Sequence, residues 1–231
     1  MDFNPFHLAA WYLVFVFSCT VHEAAHALAA WKLGDSTAYH GGQVSLDPTP
    51  HIKREPIGMV VIPLISFLIN GWVMGWASAP YDPDWAWRHP KRSAWMAFAG
   101  PLSNFALMAL AIALIRAGTI AGVFFPPDQI TSSSAIGAEG AWQGAALLLS
   151  VLFTMNMIMF VFNLLPLPPM DGSCVIMLGL NDDAARRWMR LVGDPGFALI
   201  GLLAAWYGFR FIFQPIHLSI INLLYPGTTY S

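Results

Sequence analysis

Two histidines and a glutamate lie close together in an apolar part of the chain, in the segment His22-Glu23-Ala24-Ala25-His26. On an α-helix, residues four positions apart are separated by about 40°, so both imidazoles can point at one ion from the same face. Glu23 can then reach a water molecule at that ion without being a ligand itself. Two histidine ligands and a glutamate base are the arrangement of zinc metallopeptidases.

Glu23 is an unusual residue for its apolar surroundings. A charged side chain near the centre of a spanning helix costs about 2.5–3.5 kcal/mol on insertion scales, so such residues usually have a partner and a function. The alternative is that His22, Glu23 and His26 only form hydrogen bonds with neighbouring helices. The insertion cost favours a metal site, which then needs a third protein ligand, commonly a carboxylate.

Asp171 is the carboxylate that could complete this site. Pro166, Pro168 and Pro169 precede it, and because each proline removes a backbone donor, an apolar helix must unwind there. Irregular backbone near membrane depth is tolerated where protein or water covers it. We therefore expect an unwound arm that presents Asp171, next to Gly172, as a ligand. The alternative is a simple helix stop, with Asp171 capping the next helix.

Composition indicates that these residues are positioned by helices in a lipid bilayer. Of the 231 residues, 57% are hydrophobic and 10% are charged, whereas soluble domains carry about 25% charged residues. The net charge of -2 offers no basic field, so nucleic-acid binding is set aside. A spanning helix needs about 20 apolar residues. Four stretches qualify: residues 8–31, 94–115, 142–165 and 197–225.

The expected fold class is therefore an all-α polytopic membrane protein, a bundle of about four to six transmembrane helices. Residues 57–79 are also apolar, but Pro63, Asn70 and Gly71 argue against one continuous helix. Lys and Arg accumulate in short cytoplasmic loops, and they flank this stretch on both sides. A re-entrant hairpin puts both groups in the cytoplasm, so we prefer it to a span.

Residues 36–55 are polar and rich in turn-forming residues. Here Tyr39 to Leu46 is expected to form one or two strands around a Gly-Gly pair, a short membrane-associated β-hairpin. An extended substrate could pair with this segment by strand addition. The expected substrate-binding residues are Gly41, Gly42, Gln43, Val44, Ser45 and Leu46.

Six motifs together resemble the site-2 protease family of intramembrane zinc metalloproteases, in its compact prokaryotic branch. They are HEAAH at 22–26, GDSTAYHGGQVSLDPTPH at 34–51, PIGMVVIP at 56–63, GWASAP at 75–80, AGPLSN at 99–104 and NLLPLPPMDG at 163–172. The resemblance covers about residues 18–178. Met170, and Ser78 with Ala79, depart from the usual pattern, and the latter pair weakens any inference about that loop.

The resemblance implies roles for individual residues. His22, His26 and Asp171 would hold one Zn²⁺ per chain, and Glu23 would be the general base. Asn163 would donate a hydrogen bond to the oxyanion, and the alternative is that it forms only an interhelical hydrogen bond. The AGPLSN segment would pack beside the metal-bearing helix, with Gly100 allowing close approach. No PDZ or CBS domain is expected.

The expected function is hydrolysis of a peptide bond within or next to a transmembrane segment of a membrane protein substrate. The expected partners are that substrate and the lipid bilayer, with the oligomeric state left open. We expect one integral-membrane domain over residues 1–231, with a catalytic core at about 8–180 and an accessory span at 197–225. It would lie in a prokaryotic inner membrane, with the active site nearer the cytoplasmic side. The alternatives are a catalytically silent scaffold or chaperone of the same fold and a membrane metal transporter.

Overall fold

A computed structural model describes residues 4–230, and helices dominate this part of the chain. The α-helices are α1 (Pro5–Leu33), α2 (Thr37–His40), α3 (Thr49–Arg54), α4 (Ile62–Asn70), α5 (Pro83–Arg88), α6 (Pro90–Ile120), α7 (Gln143–Asn163), α8 (Asp171–Val175), α9 (Asp182–Val192) and α10 (Pro195–Leu224). A π-helical turn, Ile57–Val61, leads into α4. Short 3₁₀ turns, Gly140–Trp142 and Ile176–Gly179, precede α7 and follow α8.

Four helices are long and apolar enough to cross a membrane: α1, α6, α10 and Gly140–Asn163, which contains α7. They coincide with the four stretches predicted from the sequence. Their outer faces carry exposed leucines, which suit contact with lipid better than contact with water. Examples are Leu13, Leu110, Leu148 and Leu203.

The ends of α1 show why this segment is a helix. The Asn4 side chain accepts hydrogen bonds from the Phe6 and His7 N–H groups, at 2.9 and 3.3 Å, and Pro5 occupies the first helical position. At the other end, Gly34 adopts φ 108°, a left-handed conformation that suits glycine and ends the helix. These caps fix the length of the helix that bears both histidines.

Helices α1, α6 and α7 pack against one another at the centre of the bundle. One apolar cluster joins Trp11 of α1 to Met59 and Val73 of the segment 57–79, and another joins Phe153 of α7 to Ile221 of α10. In lipid, close packing and interhelical hydrogen bonds hold helices together, because lipid chains are themselves apolar. Buried polar residues lie between these three helices, among them His22 of α1, Asn104 of α6 and Asn156 of α7.

Residues 57–79 form a hairpin rather than one crossing helix. The π-helical turn leads into α4, Gly71 ends α4 at φ 73°, and the chain then returns without regular secondary structure. The Trp76 N–H donates to Gly58 O at 3.2 Å, and the Ser78 hydroxyl donates to Glu55 Oε1 at 2.6 Å. The two ends of the segment therefore lie together, as the predicted hairpin requires.

The predicted β-hairpin at Tyr39 to Leu46 is wrong. Thr37–His40 is a helical turn, and the Gly41, Gly42 and Gln43 N–H groups donate back to the Thr37, Tyr39 and Ala38 carbonyls. These local bonds use the backbone groups that a strand ladder would need. Within residues 4–230, β-pairing is confined to two isolated bridges, Phe125 with Gly137 and Thr131 with Ser134.

Candidate metal centre

Three side chains that are far apart in the sequence meet at one point between α1 and α8. The Nε2 atoms of His22 and His26 lie 2.9 Å apart, with the two rings in an edge-to-face arrangement. Asp171 Oδ2 lies 3.2 Å from His22 Nε2 and 3.4 Å from His26 Nε2. All three ligand atoms lie within 4.8 Å of one another. The structure thus brings together the three residues that the sequence singled out as ligands.

Hydrogen bonds on the far sides of the rings determine which nitrogen of each histidine carries a proton. His26 Nδ1 lies 2.8 Å from the Met96 carbonyl oxygen, which can only accept, so Nδ1 carries the hydrogen. His22 Nδ1 lies 2.6 Å from Asn104 Oδ1, also an acceptor. In the neutral imidazoles both Nε2 atoms then present lone pairs to the shared point.

This donor set fits a metal cation. Two Nε2 lone pairs face Asp171 Oδ2, a buried oxygen that has no hydrogen-bond partner within residues 4–230. Three lone-pair donors that converge without a proton between them repel one another unless a cation lies among them. Two histidines and one carboxylate, with a fourth position open to water, are a common ligand set for catalytic zinc.

Gly100 on α6 lets the two imidazoles lie directly against a neighbouring helix. A Cβ at this position would lie 2.6 Å from His22 Nε2 and would overlap His26 Nε2. Both rings therefore occupy the space that a side chain at position 100 would fill. The close approach that the sequence predicted for Gly100 is observed, and the residues that lie against it are His22 and His26.

The arm that carries Asp171 begins where α7 ends. Asp171 is the first residue of α8, whose N-cap is Met170, and its carboxylate points at the histidines. The alternative in which Asp171 only caps a helix is therefore wrong. Gly172 packs so closely on the Leu164 and Leu165 carbonyls that a Cβ would overlap them. The non-helical segment that contains the prolines thus folds back onto the end of α7.

Side chains from two other helices hold α8 in place. The Trp188 indole N–H of α9 donates to Ser173 O at 2.6 Å. The Lys91 ammonium of α6 donates to the Met177 and Leu178 carbonyls, both at 2.8 Å, in the 3₁₀ turn that follows α8. A cation is favourable at the carbonyl end of a helix. Helices α9 and α6 consequently hold the backbone of α8 and of the 3₁₀ turn that follows it.

Helix α10 supports the same arm, although the sequence predicted it only as an accessory span. A Cβ at Gly201 would overlap the Pro168 carbonyl, and Ala205 packs in a cluster with Leu165 and Met170. In the sequence, the only sign of this contact was a small residue, Gly201, within the helix. The proline loop is therefore enclosed between α7 and α10.

Replacing Gly201 with alanine should destabilise the protein, because the new methyl group would meet backbone, which cannot move aside cheaply. Overpacking of this kind costs about 1–3 kcal/mol. We expect a lower melting temperature in detergent and about 10-fold weaker zinc binding, as for other changes behind a ligand. Gly208→Ala, on the same helix with nothing within 4 Å, is the matched control and should keep both values. Equal behaviour of the two variants would contradict the role of α10.

Glu23 is buried on α1 beside His22, with 6% of its surface exposed. Among the described residues its side chain has no salt bridge and no hydrogen bond. Asn163 is the last residue of α7 and is partly buried, and its amide likewise has no hydrogen-bond partner in residues 4–230. Both predicted catalytic side chains thus have no hydrogen-bond partner in the described chain, and their catalytic roles stay a prediction.

The predicted substrate segment is only partly accessible. Gln43 is 2% exposed and its amide donates to Ser78 O at 3.4 Å, so its side chain faces the hairpin. Gly41, Gly42 and Leu46 are exposed, and Val44 and Ser45 are partly buried. In the described chain the backbone N–H groups of Val44, Ser45 and Leu46 have no backbone partner.

An aspartate outside the long apolar helices ties the end of α1 to the start of α5. The Asp35 carboxylate accepts hydrogen bonds from the Thr37 hydroxyl at 2.6 Å and from the Thr37 and Asp82 N–H groups at 2.9 Å. Burial raises the pKa of Asp35, but these three bonds outweigh it and hold the pKa below its usual value. The ionised form is thus favoured at neutral pH, and it fixes the start of α5 relative to the end of α1.

Sequence reasoning missed Asn156, which lies in the middle of α7. Asn156 and Asn104 are both fully buried, and the Asn104 amide donates to Asn156 Oδ1 at 2.9 Å. The signal was an amide within an apolar span, which usually makes an interhelical hydrogen bond. The sequence alone could not show that its partner is the residue that holds a ligand.

Comparison with known proteins shows similarity to proteins named as metalloproteases. Over 165 residues the chain is 31% identical to "Putative zinc metalloprotease YwhC" of Bacillus subtilis, covering 71% of this chain and 66% of that protein. It is 26% identical over 179 residues to "Putative zinc metalloprotease Rip2" of Mycolicibacterium smegmatis, covering 78% of this chain and 59% of the relative. The protein of the same name from Mycobacterium tuberculosis is 28% identical over 186 residues, or 80% of this chain and 62% of the relative.

The chain spans less than two thirds of the length of each of these three relatives. No family model and no solved structure matches it. Over most of its own length, this chain is therefore similar to proteins named as zinc metalloproteases, and it carries a His-His-Asp cluster that could bind such a metal.

Proposed function

We propose that the protein is an intramembrane zinc metalloprotease of the site-2 type, which hydrolyses a peptide bond within or next to a transmembrane segment of a membrane protein substrate. The observation that carries this proposal is the convergence of His22, His26 and Asp171, with an unpaired buried Glu23, inside a bundle of membrane-length helices. A buried carboxylate beside a metal-binding cluster is costly to maintain unless it has a function.

The residues present fit a zinc ion, and His22, His26 and Asp171 would hold it. A bound zinc ion supplies Lewis acidity toward the scissile carbonyl and toward a water molecule. Glu23 would take a proton from that water and deliver it to the leaving amine. The Asn163 amide would donate a hydrogen bond to the carbonyl oxygen as negative charge develops there.

We place the whole chain in one domain of the compact branch of this family. The observed packing of α10 on the proline loop supports a single unit, because the accessory span contacts the arm of the catalytic core. The cluster lies between the second half of α1 and the start of α8, and the ends of the hairpin at Glu55 and Ser78 lie together. With the basic loops facing the cytoplasm of a prokaryotic cell, the active site would lie nearer the cytoplasmic side.

A transmembrane substrate must unwind before its peptide bonds can be cleaved, and its backbone then needs new partners. In the described chain the N–H groups of Val44, Ser45 and Leu46 have no backbone partner, and in an extended segment those of Val44 and Leu46 would face the same side. We propose that the unwound substrate pairs with this segment by strand addition. Residues 41–46 are thus the proposed substrate-binding segment, although they form no strand on their own.

Replacing Val44 with proline should reduce cleavage of a transmembrane substrate while zinc content stays unchanged. Proline removes one N–H donor, and a backbone hydrogen bond is worth about 0.5–1.5 kcal/mol, so a loss of about 2–10-fold is expected. Val44→Ala, which shortens the side chain but keeps the N–H, separates the backbone from the side-chain effect. Unchanged cleavage by the proline variant would contradict the strand-addition model.

The two alternatives are less well supported by the site. A metal transporter needs polar ligands along a path, whereas the described residues contain one cluster of His, Cys, Asp or Glu that could hold a metal. A silent scaffold has no need of an ionisable Glu23 inside the bundle. The experiment that tests the proposal compares the membrane proteomes of cells carrying the intact protein or Glu23→Gln. Substrates should accumulate uncut only with the variant.

A further inference from the structure

A continuous row of hydrogen bonds runs from α7 to one of the candidate ligands. Asn156 donates through Nδ2 to Leu152 O and to Ser18 Oγ, each at 2.9 Å. Its Oδ1 accepts from Asn104 Nδ2 at 2.9 Å, and Asn104 Oδ1 faces His22 Nδ1 at 2.6 Å. Ser18, Asn104 and Asn156 are each 0% exposed. Water therefore has no access to this row.

The carbonyl of Leu152, at the α7 end of the row, determines which amide atom donates and which accepts in the bonds that follow. Leu152 O is a backbone carbonyl and can only accept, so the Asn156 NH₂ group must lie at that end. Asn156 Oδ1 then faces Asn104, which must donate through its own NH₂ group. Asn104 Oδ1 is left facing His22, and His22 must carry its proton on Nδ1.

We propose that Asn156 is a positioning residue that sets the tautomer of His22 and thereby leaves its Nε2 lone pair available to the metal. This inference rests on the proposed zinc site, and it adds a residue that touches neither metal nor ligand. Without an acceptor at position 156, the Asn104 NH₂ group loses its 2.9 Å bond to Asn156 Oδ1 and keeps only a 3.7 Å contact with Met159 Sδ, a weak acceptor. A reversed Asn104 would present NH₂ to His22 Nδ1 and favour the tautomer that carries a proton on Nε2.

The direct test measures zinc affinity of the purified, detergent-solubilised full chain by competition with a chelator. Asn156→Leu keeps the heavy-atom count and branching of the side chain and removes both functions of the amide. We expect zinc affinity to fall by about 10–100-fold, the usual cost of losing an outer hydrogen-bond partner of a ligand. Thr154→Val is the matched control, because Thr154 is buried two residues away on the same helix and its hydroxyl has no partner among the described residues. The control should retain wild-type affinity.

A double-mutant cycle separates positioning from a general structural effect. In Asn104→Asp, either carboxylate oxygen accepts from His22 Nδ1, so the orientation of residue 104 no longer matters. We therefore expect Asn156→Leu to cost less than about 3-fold in zinc affinity in the Asn104→Asp background. An undiminished loss there would overturn the inference, and so would wild-type affinity in the single variant.

A conservative variant keeps the test usable if Asn156→Leu does not fold. A protonated aspartic acid at position 156 can donate its O–H to Leu152 O and accept from Asn104, which preserves the direction of the row. Asn156→Asp should therefore keep zinc affinity within about 3-fold, and a loss as large as that expected for leucine would count against the proposal. A wild-type protein that binds no zinc would instead refute the proposed function itself, so the two failures are distinguishable.

Discussion

Glutamine in place of Glu23 should reduce peptide-bond cleavage by about 10²–10⁴-fold, the usual contribution of a general acid–base group. Gln has nearly the same size as Glu but cannot take up a proton. Glu23 is buried and without an ion-pair partner in the described chain, so removing its charge relieves an insertion cost rather than breaking a contact. We therefore expect Glu23→Gln to fold and to bind zinc like the wild type.

The measurement is cleavage of a transmembrane substrate by purified protein, with zinc content determined in the same sample. Glu139→Gln is the matched control, because Glu139 is exposed in the loop before α7 and should change neither value. Full cleavage by Glu23→Gln would exclude Glu23 as the base. Loss of zinc together with cleavage would mean that Glu23 acts on the metal site itself.

The three candidate ligands could be selected from the sequence because their signals are local. The spacing of His22 and His26 places both on one face of a helix. Three prolines before Asp171 predict an unwound arm independently of the rest of the fold. The helices that carry them follow from length and hydrophobicity. Each of these inferences uses residues within one segment of the chain.

The error at Tyr39 to Leu46 has a different origin. A strand needs a partner, and no periodic pattern in one segment can show that the partner is missing. The structure satisfies Gly41, Gly42 and Gln43 by bonds to the turn just before them, which the Gly-Gly pair permits. The same polar composition therefore suited a turn as well as a hairpin.

Asn156 and Gly201 could not be predicted as supports of the site for the same physical reason. Each acts through a residue far away in the sequence, Asn156 through Asn104 and Gly201 through Pro168. Such pairings depend on which helix faces meet, and helices that are apolar all round do not reveal their packing faces. The sequence shows that an amide in an apolar helix needs a hydrogen-bond partner, but only the packing of the helices determines which residue that partner is.

Gly100→Ala should weaken zinc binding by about 100-fold or more while leaving the fold intact. The added Cβ would lie 2.6 Å from His22 Nε2 and overlap His26 Nε2, and these atoms are the free ends of side chains that can swing aside. The backbone thus stays in place, and alanine is a better helix former than glycine by about 1 kcal/mol. The displaced rings can no longer meet Asp171 Oδ2, so we expect zinc affinity to fall by about 100-fold or more, beyond the effect of losing an outer partner.

The contrast with other glycines makes this result specific to the site. Gly144→Ala on α7, where nothing lies within 4 Å of the new Cβ, should leave zinc affinity and melting temperature unchanged. Gly201→Ala, which meets backbone, should lower the melting temperature, whereas Gly100→Ala should not lower it in zinc-free protein. Zinc titration and thermal unfolding of the three variants in detergent would show both effects. If Gly100→Ala bound zinc like the wild type, the two imidazoles could not occupy the positions in which they face Asp171, and the proposed metal centre would be incorrect.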